Sequence, residues 1–157
     1  MESNVMTKQG YEELREKVRR LKAFDRQEVI KEIQMAAAHG DLSENAEYDA
    51  AKEKQMFIEG KIRELEQKLS NAKVIDTSSL SSDKVVFGAT VLLKDEDKGE
   101  EVSYQIVGVD EADVARGKIS ISSPIVRALI GKEEGDSVEV KAPGGIRNYS
   151  ILEVNFK

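Results

Sequence analysis

Apolar residues recur at helical spacing through the first half of the chain. Leu14, Val18 and Leu21 lie four and three positions apart, the stripe weakens from Phe24 to Glu28, and it resumes at Val29, Ile33 and Ala36. An extra four-residue step inserted into a heptad produces such an interruption. A second stripe runs through Ala46, Ala50, Ile58, Ile62, Leu65, Leu69 and Ala72, with Gln55 as a polar break. Together they predict two long helices, from about residue 7 to 38 and from about 43 to 73. The connection is so short that they must fold back on each other as an antiparallel coiled-coil hairpin. Met1 to Met6 reads as an irregular lead, Thr7 as the N-cap, and Gly40 as the left-handed residue closing the first helix. About 30 residues at ~1.5 Å each make an arm on the order of 45 Å long.

After Lys73 the period changes. The polar connector TSSLSSD, residues 77–83, separates the hairpin (1–76) from a second domain (84–157) that reads as strands. These are expected at Val85 to Phe87, Thr90 to Leu93, Val102 to Val109, near Ile119 and Ile121, at Val138 to Val140 and at Tyr149 to Phe156. Turns fall at Asp95 to Glu100 and at Pro143 to Gly145. Ser123 as N-cap and Pro124 at the first helical position open a short helix, Ile125 to Leu129, closed by Gly131. The fold class is therefore α+β: a helical hairpin followed by a small antiparallel sheet domain with one short helix.

Composition narrows the chemistry. Among 157 residues, 34% are charged and 39% apolar, a balance that suits a coiled coil better than a compact globule. With no Cys and a single His, thiol chemistry and a His-rich metal site are excluded, so a metal would need oxygen ligands. The net charge of -6 argues against a general duplex-binding protein, which needs a broad positive face. No run of 18 apolar residues is present and the N-terminus lacks an apolar h-region. A soluble cytoplasmic protein is expected, with proteins, or nucleic acid already enclosed by one, as partners.

The candidate chemistry lies at the hairpin tip, HGDLSENAEY, where no Lys or Arg occurs from Met35 to Ala51. Asp41 and Glu44 have the spacing of a capping box, and acids in a first helical turn suit the helix dipole, as His39 suits the preceding helix end. The same carboxylates at an exposed apex are suited to Mg²⁺, which takes six oxygens and is usually completed by water and phosphate. Two acids make half a site whose other half belongs to a partner. Arg15, Arg19, Lys22 and Arg26 line one helical face, read as a solvated face paired with Glu12, Glu16 and their neighbours. Only Lys31, Lys52 and Lys54 lie nearer the apex, a thin patch for gripping RNA. The turn before SPIVRALIG either leads a helix that covers the sheet or docks a partner.

The run HGDLSENAEYDAAKEKQMFIEGKIRELEQKL, followed by AKVID, FGATV, YQIVG, DEAD, GKIS, SPIVRALIGKEEGD and the PGG turn, resembles the bacterial Gre transcript cleavage factors over nearly the whole chain. The resemblance implies the same hairpin and a C-terminal domain similar to FKBP-type folds. It further implies a non-enzymatic partner of RNA polymerase whose coiled coil enters the secondary channel while the C-terminal domain docks on the rim. Asp41 and Glu44 would then share a Mg²⁺ with the polymerase and promote cleavage of the backtracked RNA 3′ end. By the same resemblance Ser43, Tyr48 and Lys52 lie near RNA, and Ser122, Ser123 and Pro124 form the polymerase-docking turn. Relatives commonly carry a basic residue in the Ala37 position and Pro in the Gln27 position, and some members of the family carry a larger basic patch beside the tip; the small patch here implies release of short fragments. A monomer is expected, because the hairpin pairs with itself. Two other classes remain open: a prolyl isomerase, on fold analogy alone, and a coiled-coil adaptor in which Asp41 and Glu44 are dispensable.

Overall fold

The computed structural model of the 157-residue chain describes residues 4–39 and 45–156. They fall into two compact units, one spanning Tyr11–Ala72 and the other combining the first ten residues with Lys73–Lys157.

The first unit is the expected hairpin. Helix α1, Lys8–Arg20, runs through a π-helical turn, Leu21–Asp25, into α2, Arg26–Ala38; α3 is Ala46–Ser70. The π turn falls where the apolar stripe weakens, and the Arg26 amide reaches back to the Leu21 carbonyl across five residues. One wide turn absorbs the break in heptad phase. Phe24, carried by that turn, is 60% exposed. Val18 and Val29 from one arm meet Ile58, Ile62 and Leu65 from the other, with Leu14, Leu21 and Leu69 half-buried beside them. Toward the apex the seam departs from the predicted stripe: Ala46 and Ala50 are exposed, and Ala51 is buried in their place. Ion pairs Lys22–Glu66, Arg26–Glu59 and Glu32–Lys54 fix the antiparallel register, one partner rising in number as the other falls.

The second unit is built on a five-stranded sheet of order β5-β4-β3-β7-β6. Its strands are β3, Thr90–Asp95; β4, Glu101–Val107; β5, Lys118–Ser120; β6, Ser137–Ala142; and β7, Gly145–Asn155. The sheet is antiparallel except at one edge, where β5 runs parallel to β4, a pairing the all-antiparallel expectation lacks. Helix α4, Pro124–Leu129, buries Val126 and Leu129 among Val85, Val91, Leu93, Ile106 and Ile151. The strand expected at Val85 to Phe87 is instead a single bridge, Lys84 to Glu133, because Gly88 turns the chain at φ 90°. A bulge between Leu92 and Leu93 lets Leu152 slip outward.

The lead segment is not irregular. Residues 4–7 form strand β1, Asn4–Thr7, which pairs with β2, Ala72–Ile75. Residues 4–10 thus pack with the sheet unit, as do residues 73–76, all of which the sequence assigns to the hairpin. In the connector, Thr77–Ser79 form a 3₁₀ turn capped by Asp76, with Thr77 buried. Thr7 is the helix cap predicted for it: its Oγ1 accepts from the Gly10 amide at 3.1 Å. The Glu111 carboxylate holds this strand in place. Its Oε2 accepts from the amides of Thr7 (3.0 Å) and Gly108 (2.8 Å), and its Oε1 from the Thr7 hydroxyl. A methyl group on Gly108 would stand 2.0 Å from the Val5 carbonyl oxygen, so only glycine permits this approach.

Candidate functional site

The apex lies between His39, which follows the last turn of α2, and Asn45, which opens α3. Asp41, Ser43 and Glu44, and the proposed helix-closing Gly40, lie outside the described residues. On either side of them the two helices are joined by one side chain. Asn45 Oδ1 accepts from the Tyr48 amide at 3.0 Å, and Asn45 Nδ2 donates to the Ala36 carbonyl at 2.6 Å. Asn45 is the N-cap of α3, with Glu47 and Asp49 as the acids of its first turn. The helix therefore starts four residues later than a cap at Asp41 requires. The signal was in the sequence, since Asn45 directly precedes the unbroken run Ala46 to Met56, but Asp41 and Glu44 offered a competing box.

His39 Nδ1 stands 3.6 Å from Glu47 Oε2, a second exposed link across the apex. Tyr48 is half-buried; Lys52 is exposed, with its Nζ 3.3 Å from Gln55 Oε1. Below the apex, Met35, Ala36, Ala50 and Ala51 line a shallow groove of about 390 Å³, with the Glu32–Lys54 and His39–Glu47 pairs on its margins. The three alanines of the floor account for it, because their side chains are too short to fill the interhelical space.

The basic face is engaged within the hairpin. Arg19 forms a two-point contact with Glu16 at 2.6 and 2.9 Å, Lys22 reaches Glu66 at 2.8 Å, and Arg26 grips both oxygens of Glu59 at 2.7 Å. Arg15 sits 6.0 Å above the Tyr11 ring. The neighbours expected for these residues were acids on the same helix. That holds for Arg19, whereas Lys22 and Arg26 pair across the hairpin. Hydrogen bonds from Arg26 hold the Glu59 carboxyl below its ordinary value of 4.5, and the Glu32 carboxylate raises the Lys54 ammonium.

In the sheet unit, Ser123 caps α4 through an Oγ contact of 3.4 Å to the Val126 amide, and Pro124 occupies the first helical position. Ser122 is exposed, its Oγ 2.8 Å from that of Ser120. The turn thus opens the helix that covers the sheet and leaves Ser122 and Pro124 facing solvent. Among the described residues there is no group of three His, Cys, Asp or Glu side chains able to hold a metal ion. No described helix is long and apolar enough to cross a membrane.

A helical hairpin whose arms flank an acidic segment, in one chain with a small mixed-sheet unit, defines an α+β protein of two parts. The chain belongs to the GreA/GreB family of transcription elongation factors. The family's N-terminal domain matches residues 4–74 and its C-terminal domain residues 80–156. A transcription elongation factor GreA from Alkalilimnicola ehrlichii is 59% identical over 152 residues, covering 96% of each chain. The GreA of Neisseria meningitidis serogroup A is 55% identical over 157 residues, covering 99% of each. Among solved structures, GreA factor homolog 1 of Thermus thermophilus is similar at 31% identity, covering 98% of this chain and 99% of that one, with a TM-score of 0.44.

Proposed function

We propose that this elongation factor binds RNA polymerase, inserts its hairpin through the secondary channel, and stimulates the polymerase's own cleavage of backtracked RNA. The observation that carries the reading is the antiparallel register of α2 and α3. With Glu32 paired to Lys54 and His39 beside Glu47, the two arms converge on the residues that flank the acidic segment of the sequence. The donor chemistry fits Mg²⁺, a hard cation that takes carboxylate oxygens, and two carboxylates leave most of its six positions to the polymerase, water and phosphate. When bound, that ion supplies activation of water for in-line attack on a phosphodiester. Asp41 and Glu44 bring oxygen donors to an active site that belongs to another protein, and the hairpin supplies the reach. The factor is thus no nuclease by itself. Ser43, Tyr48 and Lys52 flank the RNA 3′ end, and the Ser122, Ser123, Pro124 turn meets the polymerase rim. The engaged state of Arg19, Lys22 and Arg26 favours release of short fragments, because little positive charge is left to hold a long extruded strand.

The test uses stalled, backtracked polymerase with end-labelled RNA and Mg²⁺. Wild type is expected to release short fragments. Asp41→Asn combined with Glu44→Gln is expected to bind polymerase without cleavage. Equal cleavage by both proteins would refute the metal-donating role, and absence of cleavage by either would make the protein an adaptor or inhibitor.

A further inference from the structure

The two polar atoms of the Asn45 side chain do different work. Its Oδ1 caps α3 through the Tyr48 amide, whereas its Nδ2 leaves its own helix and ties to the Ala36 carbonyl in the last turn of α2. Capping alone needs only the first contact, and Ser or Asp would provide it equally well. The second is a 2.6 Å bond between the ends of two helices, made where the hydrophobic seam thins to Ala36 and Ala51 while Ala37, Ala38, Ala46 and Ala50 are exposed. Packing between the helix ends is reduced there to the short side chains of the buried Ala36 and Ala51, which leave a groove rather than an interlocked seam. The one other described polar link at this level is the exposed His39–Glu47 pair at 3.6 Å, and exposed pairs constrain geometry weakly.

We propose that Asn45 is a positioning residue for transcript cleavage: by bridging Tyr48 and Ala36 it fixes the two ends between which Asp41 and Glu44 are carried. The inference rests on the function proposed above. Donor atoms for Mg²⁺ must meet a near-ideal octahedral geometry, so loosening their mounting weakens ion capture before it weakens anything else.

Two variants separate the bridge from the cap. Asn45→Ser keeps a capping oxygen, but one hydroxyl atom cannot span both Tyr48 and Ala36. Asn45→Asp keeps Oδ1 and replaces the donor with an oxygen facing the Ala36 carbonyl. Both should retain wild-type helix content by circular dichroism and compete normally for polymerase against labelled wild type. Both should need about five- to tenfold more Mg²⁺ for half-maximal cleavage, the factor that one net hydrogen bond confers, with the maximal rate restored at high Mg²⁺. The proposal is overturned if the Mg²⁺ midpoint is unchanged, if only the charged variant shifts, or if the whole defect lies in polymerase affinity. Wild type and the Asp41→Asn, Glu44→Gln protein run alongside. Failure of wild type to stimulate cleavage, or full activity of that double variant, overturns the functional reading itself, and the positioning role falls with it.

Discussion

Replacing Glu111 tests how strand β1 is held. Its carboxylate takes three donors, the amides of Thr7 and Gly108 and the Thr7 hydroxyl. Thr7 is 3% exposed, so Glu111→Ala strands buried N–H groups. Each unsatisfied group costs about 1–3 kcal/mol. Because they share one acceptor and water can enter the vacated space, we expect about 2–4 kcal/mol in total rather than the full sum. Glu111→Gln should behave differently. The amide oxygen can take both N–H groups while its NH₂ donates to Thr7 Oγ1, a hydroxyl with acceptor capacity to spare. Only the charge assistance is lost, about 1 kcal/mol. Equilibrium urea unfolding gives the global cost, and amide exchange at Thr7 and Gly108 reports local release of the strand. If the Ala and Gln variants are equally destabilised, or if Ala lies within about 0.5 kcal/mol of wild type, the carboxylate does not hold the strand.

Two further outcomes concern the hairpin. The Arg26–Glu59 side chains are about a third exposed and doubly hydrogen-bonded, so a double-mutant cycle at neutral pH should give about 0.5–1 kcal/mol of coupling. The folded-state value of Glu59 is depressed, so this stability is present above 4.5 and disappears as pH falls through the lower folded value; coupling that persists in strong acid would refute the assignment. Ile62→Ala, at a site 2% exposed, should cost about 2–5 kcal/mol in thermal or urea unfolding. Phe57→Ala, at a site 74% exposed, should cost less than about 0.5 kcal/mol, and comparable losses at the two sites would mean that the seam is misassigned.

The hairpin was legible because its evidence is local. Leu14, Val18, Val29, Ile58, Ile62 and Leu65 repeat at helical spacing, and Thr7 and Ser123 are side chains whose capping needs only the next three residues. What was missed depends on distant partners. Val5 and Met6 look like stray apolar residues in a polar lead until residues 72–75 come alongside, and Glu111 shows no sign in sequence of its bond to Thr7. The parallel course of β5 follows from the connection after β4, which no alternation pattern reveals. At the apex, Asp41, Asn45 and their neighbours offered several capping oxygens within five positions, and spacing alone did not choose among them. The roles proposed for Asp41 and Glu44 come from resemblance to a family, since two carboxylates that would serve a partner's active site make no complete site in their own chain.

The division of the chain at residues 10 and 73 bears on how the protein is made. The hairpin is spliced into the sheet unit: the chain leaves that unit after ten residues and re-enters it more than sixty later. Thr7 leaves a ribosome well before Glu111, which follows 104 positions behind. At ordinary elongation rates this is a wait of roughly 5–20 s. The hairpin can close during that interval, its two arms being neighbours in the chain, while β1 lacks its full set of partners until synthesis has passed both β2 and Glu111. A fragment beginning at the connector would carry the whole five-stranded sheet and still lack a piece of its own domain.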